Sequence, residues 1–84
     1  MTEQDTRIAI IAIVVEDSGS AQEINLLLHE YSRYIIGRMG IPYPEKNVSL
    51  ISVAIDAPQD AISGLTGKLG RVSGVTVKTA YSKV

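Results

Sequence analysis

A chain of 84 residues has room for one domain and not two, and a domain this small buries only roughly 60% of the surface that its unfolded chain exposes. Without Phe or Trp, its interior has to be built from Ile, Val, Leu, Ala and Tyr. The lack of Cys excludes disulfides, thiolate metal sites and a cysteine nucleophile, and a net charge of -1 with scattered Lys and Arg gives no electrostatic footprint for nucleic acid.

Residues 1–6 are expected to be a flexible lead into a single domain over 7–84. Residues 7–15, RIAIIAIVV, form an unbroken run rich in Ile and Val, too short for a helix, and read as a strand buried on both faces. The run is also far short of the roughly 20 apolar residues that cross a bilayer, and it has neither the basic flank nor the cleavage site of a signal peptide. A cytoplasmic protein without membrane contact is expected. EDSGS then turns the chain, and Ser20 with Glu23 has the spacing of a capping box for a helix over about Ala21 to Tyr31 or Ser32. Ile24, Leu27, Leu28 and Tyr31 fall at i, i+3, i+4 and i+7 on its core-facing stripe.

The segment YIIGRMGI carries Gly37 and Gly40, with Pro42 and Pro44 following, and is expected to be an edge strand. Glu45, Lys46 and Asn47 make a turn into a second strongly apolar strand, VSLISVAID, over 48–56. Pro58 suits the first position of a second helix, whose buried stripe is Ile62, Leu65, Leu69 and Val72. After Ser73 and Gly74, Val75, Val77, Thr79 and Tyr81 alternate with polar neighbours in a last strand over 75–82. The order is βαββαβ. Right-handed crossovers close it into an α+β, ferredoxin-like fold, a four-stranded antiparallel sheet with both helices on one face and the first and third strands central.

Helices cover only one face of such a sheet, yet the first strand is apolar at Ile8, Ile10, Ala12 and Val14 as well as at Ala9, Ile11, Ile13 and Val15. An exposed apolar face of that extent exceeds what soluble monomers usually show, so a homo-oligomer, a dimer or a tetramer, is expected. The alternative is a monomer whose open face is shielded by residues 1–6 and by long side chains.

The inventory for chemistry is thin. His29 points away from the buried stripe and shares the outer side of its helix with Gln22, Leu26 and Arg33. Leu26, His29 and Arg33 are therefore a candidate partner surface, or merely a solvated face. One His is too few for a metal site unless other subunits add theirs, so no metal or cofactor is expected. Arg38 is the single cation of the edge strand. Its flanking glycines admit a close approach and its guanidinium can grip a carboxylate, though a charge there also blocks edge-to-edge pairing. Tyr43, between two prolines, either walls a pocket or packs over the core. The turn EDSGSA leads into a helix start, which favours an anion, and Gly19 permits a tight approach there. No spacing ties Ser, His and Asp into a triad, and a non-enzymatic role is expected.

With these residues in view, the chain resembles the small family assigned as regulators of the iron-only hydrogenase system, from RIAIIAIVVED through LLHEYSRYIIGRMGIPY and SLISVAIDAPQDAISGLTGKLG to GVTVKTAYSKV. That family is similar to ACT-type regulatory domains and to the C-terminal domain of the nickel-responsive repressor. The resemblance implies an oligomeric regulatory or sensing module. It places Asp17 and Gly19 at the turn where ACT domains bind amino-acid effectors at a subunit interface. The repressor's nickel ligands do not carry over, because GRMGIPY holds no His and no Cys follows. The expected partners are a small anionic effector or a protein, received near the first turn or Arg38; the alternative is a ligand-free adaptor docking a larger partner through Leu26, His29 and Arg33.

Overall fold

The computed structural model describes residues 5–83, so residues 1–4 of the expected flexible N-terminus lie outside it. The elements are β1 (Arg7–Val15), α1 (Ala21–Glu30), β2 (Ile35–Tyr43), β3 (Val48–Ala57), α2 (Gln59–Gly70) and β4 (Val75–Tyr81), with 3-10 turns at Ser18–Ser20, Ser32–Tyr34 and Pro44–Lys46. The strands form one antiparallel sheet in the order β2-β3-β1-β4. The two most apolar strands are central, as the ferredoxin-like arrangement requires.

The register separates the two faces of β1. Ala9, Ile11, Ile13 and Val15 are buried, together with Val53, Ile55 and Ala57 of β3, against Ile24 and Leu28 of α1 and Ile62, Leu65 and Leu69 of α2. Fully burying one such aliphatic side chain is worth roughly 1.5–3 kcal/mol, and this single cluster holds the domain together. On the opposite face, Ile8, Ile10, Met39, Ile41, Tyr43 and Leu50 are exposed. Their pairing sets them side by side, with Ile41 opposite Leu50 and Leu50 opposite Val14.

Local details depart from expectation in three places. Ser20 and Glu23 do not form a capping box. Ser20 already has αR geometry at the end of a 3-10 turn and makes no side-chain cap, whereas a capping residue needs an extended backbone. Its buried hydroxyl donates to the Ser73 carbonyl at 2.6 Å instead. Pro58 sits just before α2, at its N-cap with ψ 150, because the chain is still extended there. β2 continues past Ile41 through Pro42 to Tyr43, which an edge strand allows when the missing N–H faces away from its neighbour.

Candidate functional site

β2 is poorly covered. Only Ile35 is half-buried; the rest of the strand is exposed, and its helix-facing positions, Arg38, Gly40 and Pro42, are set by pairing with Val53, Ile51 and Ser49. The helices pack over the centre of the sheet, so a groove is left between α1 and the helix side of β2.

Three recesses make up this groove. One, of about 460 Å³, is lined by Asn25, Leu28, His29, Ser32, Ile35 and Arg38. The next, of about 220 Å³, shares Asn25 and Arg38 and is floored by Val15, Ile51 and Pro42. The last, of about 270 Å³, shares Val15, Pro42 and Ser49 and ends at Ser18, Tyr43 and Asn47. Asn25 joins its two walls, because its Oδ1 accepts from the Arg38 Nη2 at 2.7 Å. This bond fixes the guanidinium over the groove and uses one of its five N–H donors. Among the described residues, Arg38 and His29 are the basic side chains on the lining, and no carboxylate belongs to it.

The structure therefore brings His29 and Arg38 to one recess; Tyr43 borders the last recess, but its register opposite Val48 puts its side chain on the open face of the sheet. Tyr43 is 42% exposed and does not pack over the core. Leu26, 63% exposed, and Arg33, stacked 5.1 Å above the ring of Tyr34, lie outside the three recesses. Asp17 and Gly19 are engaged with each other, the Gly19 N–H donating to the Asp17 carboxylate at 2.9 Å. Their turn is tied to the α2–β4 turn by the Glu16 N–H, which donates to the Gly74 carbonyl at 2.7 Å.

Asn25, Ser18 and Ser49 were not singled out from the sequence. For Asn25 a signal existed, since it lies four residues before His29 and shares its helix side. For Ser18 and Ser49 there was none, because only the folded sheet brings them together.

Comparison with known proteins gives a consistent picture. The family model described as "TM1266-like: Iron-only hydrogenase system regulator, putative" matches residues 7–79. Among solved structures, the chain is similar to TM1266 of Thermotoga maritima, a protein described as uncharacterized, with 39% identity, a TM-score of 0.90, and coverage of 94% of this chain and 100% of that one. It also superposes on part of a formyltetrahydrofolate deformylase from Pseudomonas putida KT2440 with a TM-score of 0.63 and 14% identity, over 87% of this chain and 28% of that one; this likeness shows the fold alone. No curated protein matches.

Proposed function

The chain belongs to the TM1266-like family, and from that premise we propose that it is a non-catalytic regulatory or sensing module of the iron-only hydrogenase system. It receives an anionic group, carried by a small effector or by a partner protein, at Arg38 close to a subunit interface. The observation that carries this reading is the Arg38–Asn25 pair, which holds a guanidinium over a groove whose lining, among the described residues, has no carboxylate. Binding changes how subunits pack, and a separate protein reads the change.

Self-association in the cytoplasm belongs to the same reading. The open sheet face is about 19 by 30 Å, from strand spacings of ~4.8 Å and a rise of ~3.3 Å per residue. That is on the order of the 800 Å² per partner of a standard interface. Native mass spectrometry of the purified protein tests both parts. The expected result is an oligomer with a reproducible adduct that disappears in Arg38→Ala while the oligomer persists; an adduct retained in Arg38→Ala overturns the Arg38 role. A second reading, a ligand-free adaptor, rests on the exposure of Leu26 beside His29 and Arg33, and a clean oligomer with no adduct favours it.

A further inference from the structure

Building on the anion-receiving role of Arg38, we propose that the anion is carried on an extended polypeptide segment of a partner protein, one that alternates acidic and apolar side chains and adds to the free edge of β2 as a fifth strand.

Shape argues for a chain over a small molecule. Small-ligand pockets enclose most of their ligand in roughly 300–1,000 Å³. Here the three recesses string out along a nine-residue strand, a length of about 30 Å, and that strand is a sheet edge. Adding a strand satisfies the edge's backbone groups, while side chains of alternate residues enter whatever lies on either face. On the helix side they meet Arg38 and Asn25, then the space over Gly40, where an added Cβ would meet nothing nearer than Ile51 at 4.0 Å. On the other side they continue the apolar surface of Met39 and Ile41, 60% and 50% exposed. One side of the visitor therefore has to be acidic and the other apolar.

Charge also decides against a second copy of β2 as the occupant. Two β2 strands paired antiparallel would bring the Arg38 side chains of both copies to one face of the joint, where like charges repel. The bulge between Ile35 and Gly37 and Pro42 confine regular pairing, whether by a second copy or by a visiting segment, to the stretch between them. β4, the other edge, is less suited: α2 packs against it, and its open-face positions include Lys78.

The test uses the full chain with three probes: a fluorescein-labelled octapeptide alternating Glu and Val, its counterpart with Lys in place of Glu, and glutarate. Fluorescence anisotropy on the wild type is expected to favour the Glu peptide by about tenfold or more, and Arg38→Glu is expected to reverse the preference toward the Lys peptide. Amide shifts in ¹⁵N spectra should concentrate on Arg38 to Ile41. Arg38 is exposed, so its replacement leaves the core intact. Equal binding of the two peptides, no binding of either up to about 1 mM, or unmoved β2 amides overturns the proposal. If glutarate shifts the Arg38 amide while the peptides do not, only the polypeptide ligand falls; if neither registers, the anion-receiving role of Arg38 falls with it. Self-association that changes in Arg38→Glu, read by sedimentation, would point to β2–β2 pairing and also overturn the proposal.

Discussion

Gly74 holds φ +70, and a Cβ built on it would lie 2.6 Å from the Asp17 Cβ. Two separate constraints meet at this atom: the left-handed backbone, which costs an L-residue roughly 1–2 kcal/mol, and the close passage of the first turn. Gly74→Ala should therefore lower stability by about 2 kcal/mol or more, read as a drop in the urea midpoint. A loss below about 0.5 kcal/mol would show that the two turns are not held together as described. The glycine was visible in the sequence as a turn residue, but its contact was not, because Asp17 approaches it from a turn far away along the chain. For the same reason the Ser20 hydroxyl was assigned to a helix cap when its partner is the carbonyl of Ser73.

Element by element, the apolar periodicities carried most of the fold. Ile24 and Leu28 of α1, and Ile62, Leu65 and Leu69 of α2, are buried where the helical spacing placed them, since burial of a stripe is what makes a short helix stable. The candidate site was less legible. Arg38 and His29 stood out as isolated polar residues, but the groove joining them depends on how far α1 falls short of β2, a matter of packing that no local pattern encodes. The helices also meet through polar side chains. Lys68 of α2 pairs with Glu30 of α1 at 2.9 Å and lies 5.1 Å over the ring of Tyr31. The hydrogen bond to Glu30, followed by that to Tyr31, raises the Lys68 pKa above its ordinary 10.5. A group whose pKa is raised by folding contributes stability below its unfolded pKa and loses that contribution as pH climbs through the folded one. The melting temperatures of wild type and Lys68→Met should then differ slightly at neutral pH, because the pair is solvent-exposed, and converge above pH 10.5. A difference that persists or grows there would assign the effect to packing.

Across the whole molecule, the open sheet face dominates the expected solution behaviour. Ile10 of β1 and Leu50 of β3 are 45% and 43% exposed, so a charge at either leaves the core cluster untouched while placing an unpaired ion in any interface built on that face. Ile10→Asp should dissociate the proposed oligomer, seen in sedimentation velocity as a shift toward the monomer with unchanged circular dichroism. An oligomer that survives Ile10→Asp and also Leu50→Asp would mean that the subunits meet elsewhere. The same architecture sets a timetable for synthesis. β1 is made first, yet both of its neighbours come late: β3 begins at Val48 and β4 ends at Tyr81. At about 5–20 residues per second, the roughly 65 residues between the end of β1 and the end of β4 take several seconds to appear. Throughout that interval RIAIIAIVV lacks at least one of its two flanking strands, so this nonapeptide is the part of the nascent chain that most needs shelter at the ribosome.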